Sequence, residues 1–305
     1  MSISALLLQI VLLTAAPPES MRVGVAQVGS TFNIEENLEK HVDYISQCAE
    51  RGARVVVFPE CALTGYSSQA GVYDHLSSAE IDRAEQRICR ATREHDVYAV
   101  VGSILRIGEE TFNIAFVADP DGKIIERYAK VQLAGEKWAT PGRWLSLFEI
   151  DGITCSIIIC HDERYPELVR LPALHGARVI FYISDESSVR MESKLAPYRA
   201  QIVARAVENA VFIVHANAPA NPENFRGSHG QSRVILPDGN LIEEASIFSE
   251  EIIIADLNLK AGGGVRAKNS FRSDLLRDWW KEGMKIMEGS VGGLLKLADE
   301  ADKTN

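Results

Sequence analysis

A cysteine at the end of an apolar run is the first residue in this chain placed for covalent chemistry. Thr154-Cys155-Ser156-Ile157-Ile158-Ile159 is mostly apolar and β-branched. Cys160-His161-Asp162-Glu163-Arg164-Tyr165-Pro166-Glu167 then turns abruptly polar. The first stretch reads as a buried strand. Pro166 and Glu167 open a helix, because proline is tolerated in a first turn, and His175-Gly176 close it. Pro172 is set to kink that helix. Cys160 therefore stands where a core strand ends, the place where open α/β folds gather their sites. Taken alone it is equally an ordinary buried thiol. To attack a carbonyl, a thiol needs a base for its proton and a cation for the oxyanion it creates. Two other strand ends supply both. Arg54-Val55-Val56-Val57-Phe58-Pro59-Glu60 closes on a carboxylate, and Glu126-Arg127-Tyr128-Ala129-Lys130-Val131-Gln132-Leu133 carries a lysine. Strand alternation puts Tyr128, Lys130 and Gln132 on one face.

Phe58-Pro59-Glu60, Tyr128-Ala129-Lys130 and Cys160 through Glu167 resemble, in order and in wide spacing, three signature blocks of the nitrilase, or carbon-nitrogen hydrolase, superfamily. Ala204-Arg205-Ala206-Val207-Glu208-Asn209 resembles its Arg-Ala-x-Glu-Asn helix. Gly230-Gln231-Ser232-Arg233-Val234-Ile235-Leu236-Pro237-Asp238-Gly239 resembles its Gly-x-Ser-x-x-x-x-Pro-x-Gly strand and hairpin. The resemblance runs from Met21 to Leu257. It implies a Glu60, Lys130, Cys160 triad acting through a cysteine thioester, with Lys130 and the His161 backbone N–H on the oxyanion. It implies a second glutamate after the lysine, for which Glu136 is the candidate, on a loop short compared with many relatives. Gln132 stands where many members carry histidine. True nitrilases show Trp-Glu after the cysteine, whereas His161-Asp162 here is closer to the amidase and carbamoylase branches. The implied substrates are water and a small linear amide or N-carbamoyl compound, with no cofactor. Nitrile hydrolysis and acyl transfer to an amine are alternatives with the same triad. A non-catalytic binding or scaffold protein on this fold would not need the triad intact. Arg164 is expected to tie the turn down through a salt bridge. Ser184 to Arg190 is expected to line the pocket, with Arg190 at the surface.

The elements that must hold these residues alternate between helix and strand, which argues an α/β fold with mixed sheets. A helix spans Asn33 to Gly52, with Asn33 and Glu36 at capping-box spacing and Ile34, Leu38, Val42, Ile45 and Ala49 as its stripe. A second spans Ser77 to His95, with Ser77 and Glu80 as its box. Strands are read at 55–58, 98–105, 112–118, 178–183, 211–216, 232–236 and 251–257, and a helix at 195–210. The family resemblance implies a four-layer α-β-β-α sandwich that often dimerises through its outer helices. With 46% hydrophobic and 24% charged residues, the composition is that of an ordinary globular chain of 305 residues. A net charge of -10 argues against a nucleic-acid partner. Five cysteines, odd in number and without paired spacing, frame neither disulfides nor a metal site.

The domain reading is an extension over residues 1–20, a hydrolase domain over 21–260, and a C-terminal helix and tail over 261–305. Residues 5–13 are apolar and end in small residues, as in an export signal, though no Lys or Arg precedes them. Met21 as the true start would instead leave the protein cytoplasmic. Ala261 to Gly264 reads as a joint, Ser273 to Met287 as a helix, and Gly289 to Asn305 as a tail. The stripe Leu276, Trp279, Trp280 and Met284 suits docking on the body or on a second subunit of a homo-oligomer.

Overall fold

The computed structural model describes residues 18–190, 192–223 and 227–303. The export-signal reading falls on residues that lie almost wholly outside these. In chain order the first half runs β1 (Ser20–Gln27), α1 (Ile34–Glu50), β2 (Val55–Val57), α2 (Ser78–His95), β3 (Tyr98–Ile107), β4 (Glu110–Ala118) and β5 (Ile124–Ala129). The second runs β6 (Phe148–Ile150), β7 (Ile153–Ile159), a 3₁₀ turn (Cys160–Arg164), α3 (Glu167–Leu174), β8 (Val179–Ser184), α4 (Glu192–Asn209), β9 (Phe212–Asn217), β10 (Arg233–Ile235) and β11 (Leu241–Glu244). It closes with β12 (Glu251–Asn258), α5 (Val265–Phe271), α6 (Arg277–Ser290) and α7 (Gly293–Asp302).

Two six-stranded sheets result, ordered β12-β1-β2-β3-β4-β5 and β11-β10-β9-β8-β7-β6. Each has a parallel centre, β1-β2-β3 in one and β7-β8-β9 in the other, with antiparallel strands outside it. The central strands are continuous Val and Ile runs because they are covered on both faces. Val23, Val25, Val57 and Val100 of one sheet meet Ile157, Ile159, Phe181 and Val214 of the other in a shared core. Helices α1 and α2 cover the outer face of the first sheet, while α3, α4 and α6 cover the second. This is the four-layer α-β-β-α sandwich with two mixed sheets.

Local chemistry explains where the sequence reading shifts. The Ser77–Glu80 capping box is complete, whereas Glu36 turns its carboxylate to Thr31 and leaves Asn33 to cap α1 alone. β5 stops at Ala129 rather than running to Leu133. Gly142 N–H takes the Lys130 carbonyl, and Asp162 takes the Gln132 N–H, so neither group is left for a ladder. The segment read as a tail from Gly289 holds helix α7, with Leu294 buried in the core beneath the first sheet. The paired tryptophans part company: Trp280 is 8% exposed and packs on the body, and Trp279 is 58% exposed.

Candidate active site

The carboxyl ends of β2, β5 and β7 converge. Phe58 N–H still bonds the Val100 carbonyl beyond the end of β2, which places Glu60 just past the sheet edge. The neighbouring β3 can come this close because Gly102 has no side chain. A Cβ there would stand 2.2 Å from the Pro59 carbonyl oxygen and 2.8 Å from Glu60 Cα. Lys130 follows β5 and is pinned on both sides, its N–H on the Asn113 carbonyl and its carbonyl on Gly142 N–H, each at 2.8 Å. Gly142 is another obligate glycine, since a Cβ would meet the Ala129 carbonyl oxygen at 2.1 Å.

These supports set the polar floor. Lys130 is wholly buried. Its ammonium donates to Glu60 Oε1 at 2.7 Å and to Glu136 Oε1 at 2.5 Å. Glu60 Oε1 also accepts from Asn113 Nδ2 at 2.7 Å, and Oε2 from the Asp185 N–H at 2.9 Å. Glu136 accepts from the Tyr66 hydroxyl at 3.2 Å and from the Ala134 N–H at 2.5 Å. Burial disfavours the Lys130 charge, but Glu60, Cys160 and Glu136 outweigh it and hold the ammonium well above its ordinary pKa. Burial likewise pushes Glu136 up, and Lys130 overrides it, leaving the carboxylate below its usual range.

Cys160 is the hinge between β7 and the 3₁₀ turn, with φ +45°. That left-handed conformation costs a non-glycine residue about 1–2 kcal/mol, and the turn must hold it there. Four interactions do so. Asp162 Oδ2 accepts from the Tyr128 hydroxyl at 2.7 Å and the Ile159 N–H at 3.0 Å, and Oδ1 accepts the Gln132 N–H at 2.7 Å. Asp162 thus clamps the turn of one sheet to the Lys130 segment of the other. Arg205, from the Arg-Ala-Val-Glu-Asn stretch of α4, donates to the Glu163 carbonyl at 2.8 Å. Burial, then Glu60, push the Cys160 thiol well above its ordinary pKa, and Lys130 works the other way. Glu60 and Lys130 therefore both act on the sulfur.

Cys160 opens on a cavity of about 430 Å³ lined also by Tyr66, Arg164, Asp185, Glu186 and Tyr198. The stretch 184–190 does reach it, through Asp185, Glu186 and Ser187. Arg164 corrects one expectation: it has no salt bridge among the described residues, and its guanidinium lies 5.0 Å over the Tyr198 ring. The tie that a salt bridge would have made comes from Arg205. Asn113 was not singled out from sequence, and Asp162 and Arg205 entered only as members of motif blocks, without a role of their own. Asn113 had a signal, a buried amide inside the apolar run Phe112-Asn113-Ile114.

Comparison with known proteins agrees with this architecture. The family model for carbon-nitrogen hydrolase matches residues 22–267. The chain is 29% identical to a 2-oxoglutaramate amidase of Bacillus subtilis over 80% of its length and 92% of that protein. It is 30% identical to a hydrolase in the agr operon of Staphylococcus aureus, over 78% of its length and 92% of that protein. Among solved structures, an amidase from Nesterenkonia sp. superimposes with a TM-score of 0.73 at 26% identity, covering 88% of this chain and 98% of that one. The chain belongs to the carbon-nitrogen hydrolase family and is an enzyme.

Proposed function

We propose that this enzyme hydrolyses a small linear amide or N-carbamoyl compound through a thioester on Cys160. Glu60 takes the thiol proton as the sulfur attacks the carbonyl carbon, and the carbonyl π pair moves onto oxygen. Lys130 and the His161 backbone N–H hold that oxyanion. When the C–N bond breaks, Glu60 returns the proton to the departing nitrogen, and ammonia or an amine leaves. Water then attacks the thioester with Glu60 again as the base, releasing the acid and restoring the thiol. Glu136 is the positioning residue that keeps Lys130 directed at the reaction centre. The raised thiol pKa suits this order, because a neutral resting thiol needs a base within the attack step itself.

The observation that carries the reading is the buried lysine between two carboxylates, in a floor whose charges act on a thiol at a cavity wall. Amidases among the relatives support the amide branch over the nitrile one. The outward apolar residues Leu275, Trp279 and Ile286 support a homo-oligomer. The test is ammonia release from a panel of linear amides, N-carbamoyl acids and nitriles by the native chain and by Cys160→Ala. The native chain should turn over members of the first two classes, and Cys160→Ala none of them. Undiminished turnover in Cys160→Ala would reject the nucleophile.

A further inference from the structure

The cavity beside Cys160 carries two carboxyl groups that hydrolysis does not use. Asp185 and Glu186 leave the carboxyl end of β8 side by side, and both line the cavity. The Asp185 backbone is committed to Glu60, yet its carboxyl has no hydrogen bond or ion pair among the described residues. It also lines, with Tyr66, a neighbouring cavity of about 600 Å³, so it stands where the two spaces adjoin. Glu186 is only 7% exposed. Its Oε1 accepts from the Tyr182 hydroxyl at 2.5 Å, and its Oε2 receives no hydrogen bond. His229 Nε2 lies 3.1 Å from that oxygen. His229 Nδ1, however, faces the Ser187 carbonyl, which only accepts, so in the neutral ring the proton belongs on Nδ1 and Nε2 is itself an acceptor. Once the Glu186 carboxyl is ionised, two acceptors face each other at the wall and that oxygen is open to a donor.

Acid groups outnumber basic ones around the space. On the floor a single ammonium, Lys130, is already shared by Glu60 and Glu136. On the wall Asp185 and Glu186 stand against Arg164, which lies over the Tyr198 ring, and Glu186 also feels the buried Arg233 behind it. Behind them Glu163 Oε2 lies 3.1 Å from the same Tyr182 hydroxyl oxygen. An anionic substrate would add to this excess of acid groups, and an ammonium would relieve it.

We propose that Asp185 and Glu186 form an amine subsite, so that the preferred substrate is a small linear amide bearing a protonated amino group near the scissile carbonyl. This rests on Cys160 as the nucleophile. Burial, then the Glu60 charge, push Asp185 up to about 8 in the empty site. A bound ammonium would draw its proton off and leave a short, desolvated ion pair.

Three amides matched in chain length test this: β-alaninamide, neutral butyramide and anionic succinamate, each read by ammonia release at neutral pH. In the native enzyme kcat/KM should be at least about tenfold higher for β-alaninamide than for butyramide, with succinamate lowest. Asp185→Asn and Glu186→Gln should each shrink the β-alaninamide to butyramide ratio about fivefold or more, chiefly through KM. A native ratio at or below unity overturns the subsite, as does no ammonia from β-alaninamide, or a ratio unmoved in either variant. The native profile decides even where a variant does not fold. Persistent hydrolysis by Cys160→Ala overturns the nucleophile instead, whatever the ratio.

Discussion

Two sets of buried carboxyl groups flank Cys160, and burial meets a different outcome in each. On the floor, Lys130 sits within hydrogen-bond reach of Glu60 and Glu136, and its charge keeps Glu136 ionised against the cost of burial. On the other side, Glu163 and Glu186 share one tyrosine hydroxyl and have no cation in hydrogen-bond contact among the described residues. Burial, then Glu186, push Glu163 up to about 9, and burial raises Glu186 as well. The side chains are the same and both sets are buried; a cation at hydrogen-bond distance makes the difference. A cation at hydrogen-bond distance offsets the cost of burying a carboxylate, and without one burial favours the protonated form.

The largest break in this comparison is Lys130→Met, which makes the floor resemble the wall. It leaves two buried carboxylates without their counter-ion, a change that typically costs about 3–5 kcal/mol. On the proposed mechanism it also removes an oxyanion donor, worth about two to three orders of magnitude in kcat. Urea midpoints and ammonia release should both fall steeply. An unchanged midpoint would mean that Glu60 and Glu136 do not depend on that ammonium.

Much of this floor was legible in the sequence, because its members close apolar runs. Glu60 and Cys160 stand at the ends of recognisable strands, and Lys130 follows a third. Their supports were harder to see. Asp162 works by joining two sheets whose strands are far apart in the chain, and nothing local in His161-Asp162-Glu163 marks that partner. Gly102 and Gly142 are required by a backbone approaching from elsewhere, not by a turn of their own. β6 and β11, at three and four residues, are too short to carry a period. The final helix was read as a tail because glycines precede it; Leu294 is held by the first sheet, a contact that no local pattern announces. The wall group was written in plain view as Asp185-Glu186. That stretch is expected at the pocket from its sequence, but nothing in it tells which of its side chains enter the cavity.

The wall makes its own prediction, in stability rather than rate. An unfolded glutamate titrates near about 4.3, while Glu163 in the folded chain titrates near 9. Between those values the native state holds a proton that the unfolded state has lost, so stability falls as pH rises and levels off above the folded value. Glu163→Gln removes that proton linkage while keeping a group able to hydrogen-bond Tyr182. Between about pH 6 and about pH 8.5 the native chain should lose more Tm than the variant, by about 5 °C. Equal losses in a pair of thermal scans would show that Glu163 is ionised in the fold, and the contrast with the floor would fail.

Tyr66→Phe should have the smallest effect, and it tests whether charge pairing or the full set of hydrogen bonds organises the floor. The Tyr66 hydroxyl is 3.2 Å from Glu136 Oε1, and its ring centroid is 6.0 Å from Lys130 Nζ. Phenylalanine keeps the ring over the ammonium and deletes one bond from a neutral donor. Glu136 still holds Lys130 and the Ala134 N–H. A hydrogen bond to a charged group contributes about 1.5–3 kcal/mol, and the long distance here puts this one at the low end. The loss in kcat should therefore be about tenfold at most, and the urea midpoint should fall far less than in Lys130→Met. A loss as deep as that of Lys130→Met would mean that Glu136 depends on the hydroxyl more than on the ammonium. The floor would then be a hydrogen-bond network in which the lysine is one donor among several, and the contrast with the wall would no longer rest on the cation.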